Sequence, residues 1–165
     1  MRDLEVYAGA ALLGVLAGMR SMAAPAVIGQ LSRNGALTGV SNGLALVTRA
    51  PFANVSTFLA VGEVIADKLP FTPNRTNVGP LLGRAFTGGL SGAVVCSAQK
   101  RSALLGALIG AGAALGAAYG AYELRRRAVR KLHVSDRAIA VTEDILAGSL
   151  GAALTAHFSD SEALA

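Results

Sequence analysis

Along the chain, long apolar stretches alternate with short polar connections, and the stretches are too long for buried strands. The first runs from about Leu4 to Leu31, with Gly9, Gly14 and Gly18 spaced along it. Arg20 interrupts it, and Ser21 and Pro25 follow, so a kink or break is expected there. Ser32 to Arg49 is mixed, with Gly35, Gly39, Asn42 and Gly43, and its apolar piece Leu44–Val47 is too short to span. Residues 36–50 therefore read as a surface loop or a re-entrant segment. Further apolar stretches cover about 52–69, 81–98, 102–124 and 136–158. Between the second and third lies PFTPNRTNVGP, Pro70 to Pro80, whose prolines and asparagines mark a loop. A helix crossing a bilayer needs roughly 20 apolar residues. The pattern thus predicts one all-α domain over residues 1–165, a polytopic membrane bundle of about five spans.

Composition supports this and excludes other classes. Of 165 residues, 53% are hydrophobic and 15% charged, against about 25% charged in soluble domains. Mean hydropathy is +0.51, which excludes a disordered chain and leaves too few charges for a soluble surface. Cys96 stands alone, so it forms no internal disulfide, and no metal or redox motif surrounds it. Asp3 and Glu5 dilute the start of the chain and Arg20 cuts the first apolar run, so the segment reads as a retained helix rather than a cleaved signal peptide.

The net charge of +5 does not point to nucleic acid, because aromatics are few and the basic residues sit at helix ends. With five spans, Arg2, Lys68, Arg75, Arg125, Arg126, Arg127, Arg130, Lys131 and Arg137 share one side. Arg33, Arg49, Lys100 and Arg101 share the other. The positive-inside rule then places the N-terminus in the cytoplasm and the C-terminus outside, in the inner membrane. A further half-span near Leu44 reverses the C-terminal part. The basic run after the fourth span reads as a topology anchor, or as a patch for anionic lipid.

Glycine carries the packing. Gly106 and Gly110 are four apart, as are Gly112, Gly116 and Gly120, so each set lies on one helix face where another backbone can approach. That face packs within the chain or against a second copy, giving a homodimer. The second span reads AVGEVIA and the fifth AVTEDILA, each after a glycine-rich span. With five spans these pairs enter the membrane in opposite directions, the pattern of an inverted repeat.

Charges within spans cost about 2.5–3.5 kcal/mol each on insertion scales, so they need partners or a wet cavity. The candidates are Arg20, Glu63, Asp67, Arg84, Glu143 and Asp144, with Lys68 and Arg75 at the boundary. Glu63 and Asp67 are four apart and share a helix face. Glu143 and Asp144 are adjacent and diverge by about 100°, so one of them is expected to point inward. Close carboxylates repel, which suits a proton or cation site, while Arg20 and Arg84 suit counter-charges or an anion. No hydrolase motif or zinc spacing occurs, and no cofactor is implied. His133 and His157 read as plain interfacial residues.

GMRSMAAPAV (Gly18 to Val27), GEVIADKLP (Gly62 to Pro70) with the later NRT, GRAFTGGLSGA (Gly83 to Ala93) and the Glu143–Asp144 pair resemble a known family over nearly the whole chain. It is an uncharacterised bacterial family of small Gly/Ala-rich integral membrane proteins, a domain of unknown function. The resemblance implies a multi-pass membrane protein and transfers no activity. More loosely, Arg20-Ser21 before Pro25 and the E-x3-D pair are similar to polyprenyl-phosphate phosphatases and flippases. Asp67 stands where the phosphatase motif has Glu, and that family's glycine-proline-rich loop is missing. The leading expectation is a small transporter or channel-like protein with Glu63 and Asp67 as the ion or proton site. One alternative is a membrane enzyme on a lipid phosphate, with carboxylates holding a metal. The other is a structural membrane protein whose charges set register.

Overall fold

A computed structural model describes residues 3–66, 78–132 and 136–163. Among them are six α-helices: α1 (Asp3–Met19), α2 (Ala23–Arg33), α3 (Ala50–Ala66), α4 (Val78–Ala98), α5 (Ala103–Leu132) and α6 (Asp136–Ala163). A single 3-10 turn, Ala45–Thr48, precedes α3. No strand occurs among the described residues. The protein is a helical bundle of membrane type. The helices α4, α5 over Ala103–Arg127 and α6 over Ala138–Asp160 are long and apolar enough to cross a membrane. Large apolar side chains point outward on the long helices, among them Phe58, Phe86, Leu108 and Ile145. Water does not favour such a surface, and lipid does.

The first apolar stretch, read as a single span with a kink or break after Arg20, is two helices. A helix running through would need an N–H from Pro25 for the Ser21 carbonyl, and the proline ring would collide with that carbonyl. Instead α1 ends at Met19 and α2 starts at Ala23, which puts Pro25 in the first turn, where its missing N–H costs nothing. The chain reverses across this break. Along α2, Val27 meets Gly151 and Asn34 donates to Ser159, while along α1 Leu16 meets Gly151 and Gly9 lies under the Phe158 ring. So α2 runs back beside α1, parallel to α6. At the far end, Gly35 adopts φ +75, and the Gly35 and Ala36 amides donate to the Ser32 and Leu31 carbonyls to stop the helix.

At the centre, α1, α4 and α5 pack at backbone contact. A side chain at Gly14 would strike the Gly110 carbonyl, one at Gly88 would come within 2.8 Å of the same oxygen, and Gly92 and Gly106 lie back to back. Leu13, Leu16, Ile28, Leu31, Val94 and Val95 fill the buried core. The helix α3 packs on α2, where Ala53 sits against Gly29, and α6 lies along α1 and α2. Gly106 and Gly110 are thus spent inside the chain. Gly112, Gly116 and Gly120 face open space.

The hairpin changes two further expectations. Because α1 is followed by a returning helix, the start of α1 and the end of α6 lie at the same end of the bundle, as Gly9 and Phe158 show. The five-span count puts them on opposite sides. The same extra crossing makes α1 and α5 parallel, with Gly14 at Gly110 and Gly18 at Ala114. The inverted repeat requires those two to be opposed, so the proposed pairs are not related in that way.

Candidate functional site

The turn between α1 and α2 brings Arg20 to one end of the bundle, and the other charged side chains gather around it. Arg20 is 6% exposed, and its guanidinium donates to the Asp144 carboxylate of α6 in an ion pair. Burial makes this pairing obligatory, since an isolated charge in low dielectric costs several kcal/mol. Beside it, the Ser21 and Met22 amides donate to the two oxygens of Glu63 at 2.9 and 3.0 Å. Met22 is the N-cap residue of α2 and Ser21 precedes it, so Glu63 closes the approach to α2 as a carboxylate cap supplied from α3.

One turn of α6 is enough to serve two partners. Asp144 reaches Arg20, and Glu143 reaches Arg125 on α5 at 3.8 Å. Both adjacent acids are therefore engaged, where one was expected to face inward. They diverge as helical geometry requires, but α6 has α1 on one side and the end of α5 on the other. Arg84 on α4 is 6% exposed and lines a small cavity of about 30 Å³ with Arg125 and Glu143. Gly18, Met19, Ala118, Ala121 and Tyr122 complete the walls. The volume admits one or two waters or a single small ion.

The structure thus assembles Arg20, Glu63, Arg84, Glu143 and Asp144 at one end of the bundle. Asp67, Lys68 and Arg75 lie outside the described residues. Glu63 is turned toward backbone amides and does not line the cavity. Arg125, which reads from sequence as part of a topology anchor, belongs to the site. Its signal is periodicity: Ala114, Ala118, Ala121 and Arg125 share the face of α5 that carries Gly110. Arg126 and Arg127 fall on the outer face and pair with Glu123 at 3.6 and 2.9 Å. Among the described residues, no group of three His, Cys, Asp or Glu side chains converges in a way that could hold a metal.

The family Domain of unknown function (DUF4126) matches residues 8–159, nearly the whole chain. The chain belongs to this family. The match runs from within α1 to within α6 and takes in every described residue of the cluster, so the charged end lies within the family domain. No curated protein and no solved structure matches the chain.

Proposed function

We propose that this DUF4126 protein is a small membrane transporter or channel-like protein, coupled to a proton or a cation, whose working site is the charged end of the bundle. The observation that carries this reading is the cavity in which Arg84, Arg125 and Glu143 share about 30 Å³ inside an otherwise apolar bundle. One buried ion pair, Arg20–Asp144, is enough to fix helix register. A second, looser pair beside a cavity that Arg84 also lines exceeds that need, and ionisable groups at membrane depth mark ion or proton paths. Within the reading, Glu143 is the exchangeable group, Arg125 and Arg84 its counter-charges, and Glu63 a positioning residue.

The proposed location is the inner membrane. The Arg125–Arg127 end faces the cytoplasm by the positive-inside rule, which puts the start of α1 on the other side. The proposed assembly is a homodimer packed through Gly112, Gly116 and Gly120, the glycine face left open.

The test is reconstitution in vesicles holding a pH-sensitive dye, with an imposed pH gradient. The parent protein collapses the gradient faster than empty vesicles, and Glu143→Gln loses that rate while keeping its thermal midpoint. A folded parent that moves no protons overturns the reading. A second reading, a purely structural role, is favoured by the Glu63 cap, which ties α3 to the hairpin and needs no transported species. It predicts stability losses without flux.

A further inference from the structure

We infer that the route from the charged cavity continues along the α4 face that carries Thr87 and Ser91, and that the Ser91 hydroxyl relays a proton toward the opposite end of the bundle. The inference rests on the transport reading above and adds the second half of its path.

Thr87 and Ser91 follow Arg84 at three and seven positions, so the three share one face of α4. Arg84 lines the cavity at the start of this row. Ser91, about 10 Å further along the helix axis, lines a crevice between α2, α3 and α4. All three are enclosed, at 6%, 5% and 1% exposure. Among the described residues, the other buried polar or charged side chains are Arg20 and Ser56. The row is therefore a polar seam through an apolar core. Its two hydroxyls differ. Thr87 donates to the Gly83 and Arg84 carbonyls at 3.0 and 3.3 Å, the usual way to satisfy a hydroxyl within a helix. Ser91, one turn on, bonds to none of the described residues. Its hydroxyl is desolvated without return, and alanine fills the same space without that penalty. Packing alone does not account for it.

The crevice leads from the hairpin to the other end of the bundle. Pro25 and Ile28 of α2, Val47, Phe52 of α3, and Leu90 and Val94 of α4 enclose it with Ser91. Pro25 stands next to the α1–α2 turn, while Val47 belongs to the 3-10 turn at the far end, where Ser32 donates to the Thr48 carbonyl. The crevice is too narrow for a water molecule, so the route is shut in this structure. A dry seal of this kind prevents a leak, and Val47 and Phe52 close it on the far side. When they part, water reaches Ser91. Thr87 spends its proton on the carbonyls and offers its lone pairs to the water between the two hydroxyls. The Ser91 oxygen then accepts a proton from that water and releases its own to water in the crevice. One proton crosses, one O–H bond forms and one breaks, and the hydroxyl is restored without net charge. Chains of this sort are a recognised use of polar groups at membrane depth.

The experiment uses the full-length chain with Cys96→Ala, so that an introduced cysteine is the labelled thiol. Ser91→Cys is treated with a small membrane-impermeant methanethiosulfonate in cells, before and after permeabilisation. Asp3→Cys reports which side the far end faces. Ser91→Cys is expected to react slowly, from the same side as Asp3→Cys, and about tenfold faster when Phe52→Ala opens the crevice. In vesicles, Ser91→Ala is expected to lower proton flux about tenfold while the thermal midpoint stays or rises. Parental flux with an undiminished rate in Ser91→Ala overturns the relay and leaves the transport reading. A folded Phe52→Ala protein whose Ser91→Cys stays unreactive, or reacts only from the side opposite Asp3→Cys, overturns the route whatever the flux. A folded parent that moves no protons retires the transport reading and the relay with it, and Ser91→Cys labelling then reports only a water-filled crevice.

Discussion

The guanidinium of Arg20, on the turn that reverses the chain between α1 and α2, is bonded to the carboxylate of Asp144 on α6, 124 positions away in sequence. One contact thus ties the first helical hairpin to the last helix at the charged end. Arg20 is nearly enclosed and Asp144 keeps about a fifth of its side-chain exposure. Removing the acid alone leaves a buried charge without its counter-ion. Asp144→Asn is expected to cost about 3 kcal/mol, the low end for buried pairs because of that exposure. Equilibrium unfolding in mixed micelles measures it. Replacing both partners by apolar residues, Arg20→Met with Asp144→Leu, is expected to recover most of the loss. A double variant as unstable as the single one counts against the pair as the cause.

Glu63 bridges two elements in a different way. Its two oxygens each take one amide at the α2 start, so α3 closes the end of a helix it does not belong to. Helix caps contribute about 0.5–2 kcal/mol, and ionised acceptors are stronger than neutral ones. Glu63→Ala is expected to fall near the top of that range and Glu63→Gln near the bottom. Proton flux in vesicles should survive Glu63→Gln, whereas it is lost in Glu143→Gln. Loss of flux in a stable Glu63→Gln protein moves the exchangeable group back to the second apolar stretch.

Much of this fold is legible in the sequence, for reasons that particular residues make plain. The helices α4 to α6 are uninterrupted apolar runs bounded by charges, and hydropathy alone finds them. The reversal at Arg20 is not legible in the same way. An apolar run with an arginine and a proline looks the same whether the chain kinks or folds back, because hydropathy carries no direction. That one ambiguity spread into the expected side of the chain ends and into the repeat. The acids and Arg20 and Arg84 stand out because each breaks an apolar run. Arg125 does not, since it opens a basic run at a helix end, and only the arrival of Glu143 from α6 makes it part of the site. Glu63 was found as a charge, but its role depends on the α2 N-terminus, which exists only because of the hairpin.

The glycines of α5 divide into two sets with opposite expected responses. A Cβ at Gly110 would fall on the Gly88 carbonyl, which is backbone and cannot step aside. Gly110→Ala is expected to destabilise by about 1–3 kcal/mol through overpacking. At Gly116 nothing lies within 4 Å, so Gly116→Ala is expected to leave the folded chain unharmed or to stabilise it by about 1 kcal/mol through helix propensity. If the open face joins two copies, Gly116→Leu lowers the dimer fraction in light scattering without lowering the monomer's unfolding midpoint. A dimer that survives Gly116→Leu unchanged removes this face as its interface.

The hairpin makes a topological prediction that separates six helices from five spans. In the structure Asp3 pairs with Arg101 at the loop between α4 and α5, and Gly9 lies under Phe158, so the start of α1 and the end of α6 share one end. Arg127 stands at the other end, beyond the Arg125–Glu143 pair. Cys96 is the sole native thiol and is buried, so a Cys96→Ala background leaves introduced cysteines as the labelled sites. In intact cells, Asp3→Cys and Asp160→Cys are expected to react alike with a membrane-impermeant maleimide. Arg127→Cys reacts oppositely. The positive-inside rule adds which is which: the first two label from outside, and Arg127→Cys only after permeabilisation. Opposite labelling of Asp3→Cys and Asp160→Cys restores an odd number of crossings and removes the reversal at Arg20. Like labelling with Arg127→Cys accessible from outside keeps the hairpin and inverts the orientation. The hairpin thus rests on packing and the orientation on charge.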